Sequence, residues 1–251
     1  MQRDDLSLLA EIEAELDDPL DRIPLPEDAE PAPDPVELLR HLEDSNPDLR
    51  LAAARAFGEL VEPRAVPTLI GLLHSDCALT REAAAYALGR NPDDQAIEGL
   101  IDRLRHDSRG PVRKGCAWAL GNYTDRRAIQ PLLEALAGDI AEVRLWAASS
   151  LGNTAVVDYV TVIGAIPRLV EALRRDAVAV VRSNCAWSLG QLVKELPPNA
   201  VYATVIDGLI EALVEDDDMS VREDAKESLL QLGDARALQM IATLQQDGML
   251  W

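Results

Sequence analysis

Six arginines along this 251-residue chain each open a stretch of small residues of one shape, and that recurrence constrains the fold more than any single residue does. The stretches begin at Arg50, Arg81, Arg113, Arg144, Arg182 and Arg222. The clearest read Arg-Glu-Ala-Ala-Ala-Tyr-Ala-Leu-Gly from Arg81 to Gly89 and Arg-Lys-Gly-Cys-Ala-Trp-Ala-Leu-Gly from Arg113 to Gly121. Spacings of 31, 32, 31, 38 and 40 residues suit two short helices and two turns per unit, too little for an independent core. Each unit must bury its apolar face against its neighbours, so the expected fold is all-α: a right-handed α-solenoid of about six helical repeats. A seventh first-helix pattern, Ala237 to Leu244, has no second helix after it and is expected to cap the C-terminal end.

Within each unit the first helix carries apolar residues three and four apart, as in Ala96 to Leu104 and Ala165 to Leu173, which gives one buried stripe. Pro67, Pro131 and Pro167 fall near the expected starts of first helices, where a missing N–H costs least. An aspartate follows each first helix (Asp44, Asp76, Asp107, Asp139, Asp176, Asp216) and is placed to cap the second helix. The units opened by Arg144 and Arg182 hold extra residues, about 155–163 and 193–205, which predict helix extensions or a third short helix. Ahead of the repeats, residues 1–18 read as a short acidic amphipathic helix and residues 19–35, with six prolines, as a linker; the solenoid is expected over 36–251.

These repeats resemble HEAT-like repeats of the phycobilisome (PBS) lyase type over roughly residues 36–246. The resemblance rests on the Ala/Val-Ile-x-x-Leu-x-x-x-Leu first helix, the aspartate turn and the Val-Arg-x-x-Ala-Ala-x-Ala-Leu-Gly second helix. It implies a photosynthetic-bacterial setting, with three kinds of work. One is a non-enzymatic scaffold or adaptor for another protein, including iron–sulfur cluster assembly beside an A-type scaffold protein. Another is phycobiliprotein handling. The third is a bilin (phycocyanobilin) lyase, or a lyase subunit or chaperone.

Positions three, four and seven after each arginine share a helical face held by residues such as Ala84, Ala85, Leu88, Cys116, Ala117 and Leu120, the expected core. Positions five and nine lie on the opposite stripe: Tyr86 with Arg90, Trp118 with Asn122, Ser149 with Asn153, Trp187 with Gln191. Trp118-Ala-Leu-Gly-Asn122 is similar to the tryptophan and asparagine ladder of armadillo repeats, which implies amides gripping an extended peptide between tryptophan faces. A carboxamide offers a donor and an acceptor to a peptide unit, and tryptophan gives rigid contact area. The expected partner-binding set, lining the concave groove, is Tyr86, Arg90, Lys114, Trp118, Asn122, Trp146, Asn153, Trp187 and Gln191. Lateral packing between second helices is the competing role for Trp118 and Trp187.

A formal charge of -20 argues against nucleic acid and anionic membrane as partners, because both need lysine and arginine to displace counterions. Without a signal-like N-terminus or a long apolar run, the cytoplasm is the expected compartment. Cys77, Cys116 and Cys185 show no metal or disulfide spacing, and His41, His74 and His106 are placed to cap first-helix C-termini. The repeated arginines are expected to pair with turn aspartates along the stack, and Glu215 to Asp218 to be a solvated charge run. No nucleophile or phosphate loop is present, so no catalytic residue, metal or cofactor is expected, other than a bilin if the lyase reading holds. Oligomeric state is open.

Overall fold

Helices alternate between two rows in the computed structural model, which describes residues 34–153, 158–194 and 196–248. The first members of the pairs are α1 (Pro35–Leu42), α3 (Val66–Leu72), α5 (Ile97–His106), α7 (Ile129–Gly138), α9 (Tyr159–Arg175) and α11 (Ala200–Glu215). The second members are α2 (Pro47–Ala56), α4 (Ala78–Arg90), α6 (Gly110–Leu120), α8 (Ala141–Asn153), α10 (Ala179–Leu192) and α12 (Met219–Leu232). A final α13 (Ala235–Gln246) has no pair and lies against α12 and α11, buying the last repeat a cover through Ala237, Ile241 and Leu244. Among the described residues there is no strand, and six helix pairs with a closing helix form the expected solenoid. The reading for residues 1–18 lies outside the described residues, as do all but the last two residues of the 19–35 linker and the C-terminal Met249-Leu250-Trp251. The first helix starts at Pro35, one residue ahead of the reading.

The even-numbered helices pack much more closely on one another than the odd-numbered ones do. Their sequences explain it. Glycine, alanine and serine stand where neighbouring second helices meet, as at Gly89 on Ala119, Gly115 on Ala85 and Gly121 on Ser150. The second helices therefore make one closely seated row, the inner face, and the first helices a looser outer row. Leu88, Leu120, Leu151, Leu189 and Leu229, one in each of α4, α6, α8, α10 and α12, are all fully buried, each worth about 1.5–3 kcal/mol. In α4, α8 and α10 apolar residues point nearly all round, as in a helix covered on three sides.

Close approach is built from a recurring glycine and serine. A Cβ on Gly152 would stand 2.9 Å from the Cα of Ser188, and Gly121 and Gly190 face Ser150 and Ser228 in the same way. Each serine hydroxyl donates across to the preceding second helix: Ser150 to the Ala117 carbonyl at 2.8 Å, Ser188 to that of Ala148 at 2.8 Å, Ser228 to that of Ala186 at 3.1 Å. At the ends of α4 and α6 the same backward reach is made by longer side chains. Asn91, buried, donates to the carbonyls of Phe57 (3.1 Å) and Leu60 (3.0 Å) and accepts the Glu62 amide (2.6 Å), and the Tyr123 hydroxyl donates to the Leu88 carbonyl (2.9 Å).

The extra residues of the later units lengthen their first helices. α9 has 17 residues and α11 has 16, against 10 in α5 and α7. The added turns precede Pro167, so this proline lies inside α9 rather than at its start, where its ring removes one intrahelical bond. Pro67 stands in the first turn of α3 as expected.

Candidate protein-binding face

In α4, α6, α8 and α10 the arginine that opens the second helix ties two turns together. Arg81 donates through Nε and Nη2 to Asp107 (2.6 and 2.9 Å) and through Nη1 to the Ser75 carbonyl of its own turn (2.8 Å). Arg113 grips Asp139 and the Asp107 carbonyl, Arg144 grips Asp176 and the Asp139 carbonyl, and Arg182 grips Asp216 and the Asp176 carbonyl in the same two-pronged form. Arg50 donates to the carbonyls of Asp44 and Ser45 in its own turn, and Ser75 stands where the next carboxylate would be. Burial works to raise the pKa of Asp107, Asp176 and Asp216. The facing guanidinium and a turn amide outweigh it and hold all three below the ordinary carboxylate range.

These aspartates differ from their expected role as caps of the second helix. Asp107, Asp176 and Asp216 accept the amide two residues on, of Arg109, Val178 and Asp218, and so close the turn before the helix begins. The residues at the N-termini of α4, α6 and α10 are Cys77, Arg109 and Val178, none with a side-chain cap. Capping carboxylates instead precede the first helices, where Glu62, Asp93, Asp125, Asp158 and Asp234 accept amides of the opening turn. The run Glu215 to Asp218 is likewise structural rather than merely solvated: Asp216 and Asp217 both accept from Arg182, and Asp218 caps α12.

The histidines stand near first-helix ends as expected, but the ring contacts of His41 and His106 are to Glu37 and Asp102, one turn back, not to terminal carbonyls. Cys116 and Cys185 are buried, and burial pushes both thiols far up. Cys77 is exposed, and the amide and hydroxyl of Thr80 hold its thiol below the usual value. Among the described residues no three His, Cys, Asp or Glu side chains are grouped to hold a metal.

The stripe of Tyr86, Trp118 and Trp187 is open to solvent in part. Trp187 is exposed, while Tyr86, Trp118 and Trp146 are half-buried. On the inner face, α2, α4, α6 and α8 bound a cleft of about 530 Å³ lined by Arg55, Glu59, Tyr86, Arg90, Trp118 and Trp146. Trp118 leans onto Gly89, where any Cβ would stand 2.9 Å from the indole Cε3, and its ring centroid lies 5.3 Å from that of Tyr86 at an interplanar angle of 49°. Lys114 Nζ stands 5.9 Å from the Tyr86 centroid. Binding and lateral packing are therefore not exclusive for Trp118: one ring edge fills the gap over Gly89 and the rest faces the cleft.

The cleft thus gathers Tyr86, Arg90, Trp118 and Trp146, with Lys114 beside them. It leaves out Asn122, Asn153, Trp187 and Gln191. The Asn122 amide donates to its own Trp118 carbonyl at 3.4 Å, and the Gln191 oxygen accepts from Lys194 at 2.8 Å, so these two side chains turn toward their own helix ends. Asn153 is exposed. Arg55, which the register places on the inner stripe with Arg90 and Lys114 as a cation for an acidic partner, and Glu59, absent from the expected binding set, stand five and nine residues after Arg50, as Tyr86 and Arg90 do after Arg81. That register was the available signal.

The architecture defines a protein of helical tandem repeats. A family profile described as HEAT repeats matches residues 35–120 and 166–248, and one described as PBS lyase HEAT-like repeat matches residues 112–138. The chain belongs to the HEAT-repeat family. No curated protein matches it significantly. Among solved structures, the complex of CpcE and CpcF of phycocyanin lyase from Nostoc sp. PCC7120 is similar at 24% identity and a TM-score of 0.61, over 87% of this chain and 84% of that one. An engineered protein is similar at 25% identity and TM-score 0.59, over 80% and 98%. A designed armadillo repeat protein in complex with peptide (KR)4 is similar at 19% identity and TM-score 0.59, over 78% and 98%. No helix among the described residues is long and apolar enough to cross a membrane.

Proposed function

We propose that this protein is a non-enzymatic scaffold that holds a partner protein on the inner face of its second helices. The observation that carries the reading is the aromatic and cationic cleft bounded by α2, α4, α6 and α8. Stacked helices fix the positions of Tyr86, Trp118 and Trp146 before any partner arrives, so little ordering entropy opposes docking. Aromatic and arginine side chains are the types that dominate binding energy at protein interfaces. Capture of partners from a native extract, identified by mass spectrometry, tests it with Trp118→Ala and Trp146→Ala variants. Loss of one reproducible partner with the helical circular dichroism intact supports the reading; unchanged capture by both variants rejects it.

A second reading, as a bilin lyase or a lyase subunit, is favoured by the same convergence, since Tyr86 and Trp118 supply faces for a tetrapyrrole and Arg90 and Lys114 supply cations for propionates. The match to a PBS lyase HEAT-like repeat over 112–138 includes Trp118. Phycocyanobilin added to the purified protein would then show a changed visible absorbance, and an unchanged spectrum removes this reading.

A further inference from the structure

The arginines of this array are for the most part engaged. Arg81, Arg113, Arg144 and Arg182 hold turn aspartates, Arg105 holds Glu134, Arg127 holds Asp125 and Glu98, and Arg174 holds Glu211. Arg40, Arg109, Arg126 and Arg175 also stand outside ion pairs with described carboxylates, but in the cleft two such arginines share one lining. Arg55 and Arg90 are exposed there, and neither forms an ion pair with a described carboxylate, although Glu59 lines the same cleft and Glu82 lies one turn before Tyr86. Lys114 adds a third cation that touches an aromatic ring rather than an acid. At the far end of the same inner stripe the sign reverses: α12 places Glu223 and Glu227 in the register of Lys114 and Trp118, both exposed.

From this we infer that the cleft receives an acidic segment of a partner protein, with carboxylates opposite Arg55 and Arg90 and apolar side chains on Tyr86, Trp118 and Trp146. The inference rests on the inner-face reading above and names its occupant. In a chain of formal charge -20 the global field repels anions, so only a local arrangement can favour one. Guanidinium forks suit carboxylates, and those flanked by ring faces hold them in partly desolvated surroundings. Beyond about 8 Å at physiological salt the remote acids are screened, while these near cations act at contact distance. The sign is opposite to that of the basic peptide bound by the designed armadillo protein.

The test uses the full-length protein and three dansyl-labelled octapeptides, of alternating Glu and Leu, Gln and Leu, and Lys and Leu, titrated at physiological salt with fluorescence anisotropy and tryptophan quenching. The acidic peptide is expected to bind about tenfold more tightly than the neutral one, with the difference lost in Arg55→Gln/Arg90→Gln. Arg55→Glu/Arg90→Glu is expected to reverse the order toward the basic peptide. Circular dichroism of each variant checks that the helices persist. Equal binding of all three peptides, with Trp118→Ala weakening each, overturns the acidic occupant and leaves the inner-face reading standing. Preference for the basic peptide by the unaltered protein, or acidic binding indifferent to both arginine variants, also overturns it. Binding of none of the three overturns it together with the reading on which it rests.

Discussion

An arginine that spans two turns acts at a joint no helix covers. Arg144 holds Asp176 of the following repeat and the Asp139 carbonyl of its own, with only 19% of its side chain and 7% of its partner's exposed. Arg144→Ala strands a buried carboxylate and is expected to cost about 2–3 kcal/mol, read as a lower urea midpoint. The ladder also sets an acid limit. Because Asp107, Asp176 and Asp216 titrate below the ordinary value of 3.8 when folded, the unfolded chain takes up protons first as pH falls. Their contribution is fully present above about pH 4 and drains away as pH drops through the depressed values. Thermal midpoints followed from pH 6 to 2 are expected to fall mainly below pH 4, and less in Arg144→Ala/Asp176→Asn, where one such carboxylate is gone. This ladder was legible in the sequence because arginine and aspartate recur together. The aspartate's own task was not. A carboxylate two residues before a helix reads as a cap until the turn is seen to close on that intervening amide.

Between elements, the decisive contacts are the smallest. Gly152 lets α10 approach until the Ser188 backbone lies within van der Waals reach, and the serine then spends its hydroxyl on Ala148. Gly152→Ala is expected to destabilise the protein by about 1–3 kcal/mol, since its Cβ meets backbone rather than the tip of a flexible chain. Adding Ser188→Gly to it should recover part of that loss, and a double-mutant cycle by urea unfolding measures the coupling; strict additivity of the two would mean the helices simply move apart. The glycines were visible as the last letter of the first five repeats, the sixth having Leu230 there, but the serines were not. Six residues after the arginine stand Ala87, Ala119, Ser150, Ser188 and Ser228, and nothing local distinguishes a space-filling alanine from a serine aimed at the next helix. The same holds for the cleft. Periodicity of about 3.6 placed Tyr86, Trp118 and Trp187 on one stripe, whereas the gathering of only the earlier ones depends on Trp118 settling over Gly89.

For the array as a whole, each repeat is held by its neighbours, so stability is a sum of unit and junction terms. Deleting α13 by ending the chain at Gly233 uncovers the surface met by Ala237, Ile241 and Leu244, now 0%, 4% and 8% exposed, a loss of about 4 kcal/mol. Hydrogen exchange is expected to rise in α12 and α11 and to stay unchanged in α2 through α6; a uniform rise along the chain would mean that the repeats unfold as one. The length and number of the repeats were readable from the arginine spacing, because a fixed period leaves one architecture open, and the closing helix from the apolar pattern of Ala237 to Leu244. The close seating of the second helices, against the looser outer row, carries a mechanical consequence. Flexing of the stack fans the outer helices like the leaves of a book while the spine keeps nearly constant length, so a polypeptide laid along that spine stays in step with it as the curvature changes.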